Sequence, residues 1–217
     1  MDGSDAKKQK HEARMIPGLG ALEWGFPNSI ITTVRYADIQ VLNSVLGATS
    51  SLVYRANGIF DPEYTAVGHQ PMYSDNYKAI YDYYTVIGSK ITCTFHSRNS
   101  TLGLVVAVVG SDTTTLSSTV TTWLEQNNGV SAFTGSSASD PLTLTMTYSP
   151  EEQLGSNAKD DGSSMTPVGS DPTAGEGTFY WGILASSEDF GTTIACSLKI
   201  NIEYTVKYSV LSKQTQN

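Results

Sequence analysis

The chain has 217 residues, of which 39% are hydrophobic and 16% charged, and 13 basic against 21 acidic residues give a net charge of -8. This length suits one substantial β domain, and its acidic charge disfavours contact with nucleic acid or anionic membrane outside a local basic segment. No stretch is long and apolar enough to span a membrane, and the N-terminus lacks the apolar region of a secretory signal, so we expect neither.

A short basic arm is predicted at 1–15, followed by a single domain at 16–217. The arm contains four basic residues, which are Lys7, Lys8, Lys10 and Arg14. Acidic residues interrupt it, so a solvated and flexible terminus explains the arm as well as a nucleic-acid contact does. A lead-in rich in Gly and Pro occupies 16–28.

Two strands are predicted at 29–43 and 50–60. In the first, the candidates for burial are Ile31, Val34, Tyr36, Ile39 and Val41. These positions change from odd to even and back, so burying all of them implies a β-bulge or a register slip.

A loop at 61–75 and one or two helical turns at 76–84 lead to strands at 85–97 and 101–110. The second of these strands is almost continuously apolar, which is typical of a strand covered on both faces.

The segment 113–128 is the only sizeable helix candidate, because Leu116, Val120, Trp123 and Leu124 have helical spacing before an Asn-Asn-Gly stop. A strand at 142–148 and a long exposed loop at 151–176 follow. The last strands are predicted at 177–186 and 193–211, the latter with apolar side chains at every second position. About eight strands without βα alternation predict an all-β fold, an eight-stranded antiparallel jelly-roll β-sandwich with long loops and one short helical insertion.

Catalytic and metal-binding patterns are missing from the sequence. The three histidines do not have metal-ligand spacing, and there is no nucleophile elbow or phosphate-binding loop. We therefore expect no enzyme activity, no cofactor and no metal, although Asp61, Glu63 and Asp75 could converge on a cation. Cys93 and Cys196 fall on the apolar register of their strands, which favours buried free thiols and leaves a disulfide open.

Tyrosines are concentrated in and after the 61–75 loop, at Tyr73, Tyr77, Tyr81, Tyr83 and Tyr84. Such clusters occur at protein–protein interfaces, and a tyrosine-rich lid over one end of a sandwich explains them equally well. A carbohydrate-binding, lectin-like module is the alternative function, with Tyr180 and Trp181 as a stacking platform. Adjacent strand residues point to opposite faces, so at most one of this pair could be exposed on a flat sheet.

The segment 53–95 carries a set of coupled motifs. A strand ends in Ala-Asn-Gly-Ile-Phe-Asp-Pro at 56–62, Gly-His-Gln-Pro follows at 68–71, and Tyr-Thr-Val-Ile-Gly-Ser-Lys-Ile closes the tyrosine-rich segment at 84–91. Together with Gly-Phe-Pro-Asn at 25–28, this pattern resembles the capsid proteins of Rep-encoding circular single-stranded DNA viruses, the circovirus-like or CRESS-DNA viruses. The resemblance covers 24–95 well, and the remainder by strand order and length.

The resemblance implies a jelly-roll coat protein that self-assembles into a small icosahedral shell of T=1 type around circular single-stranded DNA. Many identical subunits would meet through loops, including 61–75 and 150–176. The interface residues that we predict are Tyr64, His69, Gln70, Met72, Tyr73 and Tyr77. The arm residues Lys7, Lys8, Lys10 and Arg14 would contact DNA, and the protein would occur in the virion, with assembly in the nucleus as one option. Family members have a strongly Arg/Lys-rich arm, whereas four cations would give weak, salt-sensitive DNA binding.

Overall fold

The computed structural model describes residues 25–44, 48–65, 68–154, 165–173 and 177–213. The arm at 1–15, with all four of its predicted DNA contacts, lies outside these residues. Within them the chain forms nine strands, which are β1 (Ser29–Asn43), β2 (Ser50–Arg55), β3 (Tyr81–Ser97), β4 (Leu104–Ser111), β5 (Gly129–Phe133), β6 (Leu142–Tyr148), β7 (Thr166–Pro167), β8 (Tyr180–Ser187) and β9 (Ala195–Leu211). Three short helices join them, which are α1 (Ser74–Lys78), α2 (Val120–Leu124) and α3 (Pro150–Leu154). No helix in these ranges has the length and apolar character needed to cross a bilayer.

The strands form two antiparallel sheets that pack face to face. The first sheet has the order β1-β9-β3-β6, with β7 also paired to β3, and the second has the order β2-β8-β4-β5. The eight main strands alternate between two antiparallel layers of four, with short β7 added to the first layer. This is the jelly-roll arrangement, so the predicted fold class is confirmed.

The alternating pattern of β9 places its apolar side chains in the core, as predicted. Every second residue from Cys196 to Tyr208 is buried. β9 pairs with β1 on one side and β3 on the other, so its backbone is hydrogen-bonded along both edges. At roughly 1.5–3 kcal/mol for each large apolar side chain, this strand contributes much of the burial that holds the first sheet to the second.

The burial predicted for β1 is wrong in part. Val34 and Tyr36 are buried, but Ile31, Ile39 and Val41 are exposed on the outer face. The strand keeps one register against β9 without a slip or bulge. Alternation therefore puts Asp38 and Gln40 at inward positions, and hydrogen bonds described below satisfy the carboxylate.

The strand β4 is covered on both faces, as its continuous apolar sequence predicts. Its outward Val105, Ala107 and Val109 pack with Leu184 and Trp123 in a second apolar cluster. The predicted helix at 113–128 is largely wrong, because only Val120–Leu124 is helical. The apolar residues at its helical spacing nevertheless mark the segment that covers this sheet, and the indole of Trp123 donates to the Thr49 hydroxyl at 3.1 Å.

Several predicted boundaries also change. β2 ends at Arg55 rather than at 60, and β3 begins at Tyr81, inside the segment predicted to be helical at 76–84. β5 was not predicted, because its short sequence has little alternation. The predicted 151–176 loop contains most of α3 and β7, and residues 155–164 and 174–176 lie outside the described ranges.

The two cysteines are free and buried. Cys93 lies opposite Ile200 on β9, whereas Cys196 lies opposite Ser97, four residues further along β3. At roughly 3.3 Å per residue this separation is about 13 Å, far beyond disulfide reach. The two cysteines are therefore free thiols rather than a disulfide. Burial raises the pKa of the Cys196 thiol to about 11.

Candidate assembly surface

The loop between β2 and α1 crosses one side of the sandwich and contacts one edge strand of each sheet, β2 and β1. At its start, Tyr64 donates its backbone N–H to the carbonyl of Val53 on β2, at 3.0 Å. At its end, Met72 donates its N–H to the carbonyl of Arg35 on β1, at 3.2 Å. The unpaired edges of β1 and β2 are thus partly satisfied by the loop, which is one way that proteins protect sheet edges.

A buried ion pair fixes the first part of this loop. Arg55 lies 3.5 Å from the Asp171 carboxylate, and both side chains are largely buried. Asp171 also accepts the N–H of Phe60 at 3.1 Å and of Asp61 at 3.4 Å, while the guanidinium of Arg55 donates to the carbonyl of Asp61. Burial raises the pKa of Asp171, and the charge of Arg55 partly opposes that rise. The pair therefore ties the loop to the segment that follows β7.

A second polar cluster lies beneath the loop, around Asp38. Its carboxylate accepts from the hydroxyl of Tyr54 at 2.9 Å and from the side-chain amide of Gln40 at 2.7 Å. Burial alone would raise the pKa of Asp38, but the hydrogen bonds from Gln40 and Tyr54 lower it below its usual value. The ring of His69 stacks on buried Tyr36, with 4.6 Å between ring centroids, and so covers this cluster from the solvent side.

Met72 and Tyr73 project from the loop into solvent, with 68% and 66% of their surface exposed. Tyr73 adopts a left-handed backbone conformation with φ of 71°. This conformation is unfavourable for a residue with a Cβ, by roughly 1–2 kcal/mol. The turn that carries these side chains is held by hydrogen bonds from the backbone N–H groups of Asn76 and Tyr77 to the carbonyl of Tyr73.

Tyr64 is also exposed, but one side of its ring packs on the protein. The ring makes an edge-to-face contact with Tyr180 at 5.7 Å, and the guanidinium of Arg55 lies 5.2 Å from the ring centroid. These contacts hold the aromatic plane in place while its other side stays open.

Gln70 and Tyr77, the remaining two predicted interface residues, are half-buried. Tyr77 stacks on Tyr208 with ring centroids 4.6 Å apart, and it packs against the main core. Of the clustered tyrosines, Tyr81 and Tyr84 thus lie in the core, whereas Tyr73 is exposed.

We call the exposed side chains of Tyr64, His69, Met72 and Tyr73 the loop surface.

Other exposed apolar residues were missed by sequence reasoning. Ile31, Ile39 and Val41 line the outer face of edge strand β1, and Phe26 is exposed just before it. Strict alternation through 29–43, counted from Val34 and Tyr36, would have placed the three aliphatic residues outside. The alternation is present in the sequence, but the polar residues Asp38 and Gln40 at inward positions make it hard to recognise.

The structure gives no support to a metal centre or a glycan platform. In the described ranges no three His, Cys, Asp or Glu side chains are grouped as metal ligands. Glu63 is buried, and its carboxylate accepts from the N–H and hydroxyl of Thr65. Trp181 is fully buried and Tyr180 packs against Tyr64, so the lectin-like alternative lacks its proposed platform.

Comparison with models of known protein families gives no match, and comparison with curated protein sequences gives none either. Solved structures do match over nearly the whole fold. The structure of Mud crab tombus-like virus has a TM-score of 0.52 and 10% identity, covering 98% of this chain and 96% of that one. Cocksfoot mottle virus gives 0.50 and 8%, covering 84% and 94%, and the Macrobrachium rosenbergii nodavirus gives 0.50 and 10%, covering 94% and 60%. At these identities the likeness establishes a shared fold.

Proposed function

We propose that this chain is a viral capsid protein, which assembles as many identical copies into a closed shell. The three solved structures compared above are virus structures, and this chain matches two of them along almost their full length. Burial of apolar loop and edge surface between subunits would drive assembly, and closed symmetry would make many weak contacts cooperative. The role is structural rather than enzymatic.

The observation that carries the proposal is the combination of exposure and rigidity at the loop surface. Met72 and Tyr73 are two-thirds exposed, although the Arg55–Asp171 pair holds the first part of the loop and the backbone N–H of Met72 donates to Arg35 at its end. Large apolar side chains kept in a fixed position in water are typical of interfaces, because little entropy is lost when a partner covers them. The resemblance at 24–95 implies that the same loop would lie between subunits.

The finer features of the proposal depend on that sequence resemblance. By it, the shell is a T=1 icosahedron around circular single-stranded DNA, and the arm residues Lys7, Lys8, Lys10 and Arg14 contact the genome. The protein would then be found in the virion, and the nucleus is one possible site of assembly.

Light scattering and negative-stain imaging of the purified full chain test the proposal. We expect round particles of uniform size with a mass of tens of subunits. A monomer or dimer that persists across salt and pH would contradict it. The ratio of absorbance at 260 and 280 nm in the particle fraction then tests whether nucleic acid is enclosed.

A further inference from the structure

The outer face of the first sheet carries most of the described basic side chains. Alternation places Lys199 and Lys207 on this face of β9. The neighbouring strands bring Arg35 and Lys90 to the two sides of Glu203, since both are its register partners. Arg98 follows β3 and donates from Nε to the hydroxyl of Ser197 at 2.7 Å, which holds its guanidinium at the same face.

We call this the basic face, defined by Arg35 of β1, by Arg98 and by the outward residues of β6, of β9 up to Lys207 and of β3 from Gly88. The outward Ile31, Ile39 and Val41 of β1 are apolar and form its border. It has five basic side chains and, among the positions described, a single carboxylate, that of Glu203, which pairs with Arg35. The whole chain has a net charge of -8. Charge is therefore strongly separated, with a cationic face on an acidic protein.

The other groups on the basic face are suited to phosphate. Small hydroxyl and amide side chains lie between the cations, including Thr92, Thr94, Thr143, Thr145 and Asn201. A concavity of about 370 Å³ lies on this face, lined by residues that include Arg35, Lys90, Asn201 and Glu203. Hydroxyl, amide and cationic groups are the usual protein donors to phosphate oxygens.

No Phe, Tyr or Trp points outward at these positions of the described strands. A face without aromatic rings offers no stacking platform for bases. Its cationic, hydroxyl and amide groups would therefore contact the sugar-phosphate backbone rather than stacked bases. The outer face of the second sheet differs, because the segment that contains Leu116, Val120 and Trp123 covers part of it.

We infer that the basic face binds the phosphate backbone of single-stranded DNA, and that it is turned toward the enclosed genome. This inference rests on the proposed function and adds to it, because phosphate neutralisation is then shared between the arm and the folded domain. The four cations of the arm are supplemented by cations that the fold collects from distant parts of the chain.

Fluorescence anisotropy of a labelled oligodeoxythymidylate of about 20 nucleotides tests the inference on the full chain. The test variant is Lys90→Gln with Lys199→Gln, and the matched control is Lys78→Gln with Lys213→Gln, which removes the same charge away from the face. Arg35 is left in place so that Glu203 keeps its partner. A third variant, Lys7→Gln with Lys8→Gln, measures the contribution of the arm.

Each phosphate contact on a single strand contributes about 0.7 to the slope of log K against log salt. We expect the basic-face variant to reduce that slope by about 1.4, and to weaken binding about 20-fold at roughly 0.1 M salt. The control should bind like the original protein. Equal binding by the basic-face variant and the control would overturn the inference, even if the arm variant binds weakly.

Particle imaging separates this inference from the proposed function. If the basic-face variant forms normal particles that enclose less DNA, both the inference and the proposed function are supported. A chain that forms no particles, yet loses DNA binding only in the basic-face variant, contradicts the proposed function and leaves the phosphate-binding face supported. If intact particles bind added heparin and the basic-face variant particles do not, the face is turned outward and the inference is wrong.

Discussion

Replacing Tyr73 by asparagine should separate assembly from folding. Tyr73 is 66% exposed and has φ of 71°, a conformation that asparagine adopts more readily than tyrosine. Its backbone carbonyl accepts the N–H groups of Asn76 and Tyr77, and the substitution leaves these bonds intact. The change therefore removes the aromatic ring and little else.

Two opposing contributions set the stability of the isolated Tyr73→Asn subunit. Relief of the left-handed conformation stabilises it by about 1 kcal/mol. Loss of the buried third of the ring, roughly 50–80 Å² at about 25 cal/mol per Å², costs about 1–2 kcal/mol. We expect the free energy of unfolding to change by less than about 1 kcal/mol.

Assembly should respond much more strongly than folding. The exposed two-thirds of the ring amounts to roughly 100–160 Å², so burying it at a subunit contact contributes about 3 kcal/mol. Losing that contribution weakens each contact by about 100-fold. The concentration at which particles form should rise steeply, because every subunit of a closed shell carries the change.

The assay is light scattering against protein concentration, paired with urea unfolding of the unassembled subunit. Phe190→Asn is the matched control, because Phe190 is also an exposed aromatic residue with positive φ, in the turn between β8 and β9. We expect the control to assemble normally. An equal loss of assembly in both variants, or no loss in Tyr73→Asn, would refute the assignment of the loop surface.

Three further outcomes are expected. Asp171→Ala should lower the free energy of unfolding by about 3–5 kcal/mol in urea unfolding, because it leaves Arg55 buried without its carboxylate; a loss below about 1 kcal/mol would show that the pair does not hold the loop. The pKa of Asp38 is lowered in the folded state, so the ionised carboxylate stabilises the fold above the unfolded pKa near 3.8, and this stabilisation is lost as the pH falls below that value. In Asp38→Asn, the free energy of unfolding measured against pH should therefore fall less steeply on the acid side. Cys93 and Cys196 should react with a thiol reagent only in denaturant, and labelling of the native chain within minutes would contradict their burial.

The local pattern of the longest strands was enough to predict the fold. β9 alternates without interruption, so its buried set could be read directly from the sequence, and the apolar run in β4 predicted cover on both faces. These are short-range consequences of side-chain alternation, which needs no knowledge of distant residues. The coupled motifs at 53–95 likewise include the loop that carries Met72 and Tyr73.

Contacts between distant residues decided the rest. Asp38 faces inward because the hydroxyl of Tyr54, on a strand of the other sheet, donates to it, and this places Ile39 and Val41 in solvent despite their hydrophobicity. Similarly, Tyr81 joins a strand because β9 lies beside it. The basic face could not be read from the sequence, since Arg35, Lys90 and Lys199 become neighbours only through sheet pairing. Sequence alone determined the alternation of each strand, whereas tertiary structure decided which face met the core, because burial of a polar group depends on partners far along the chain.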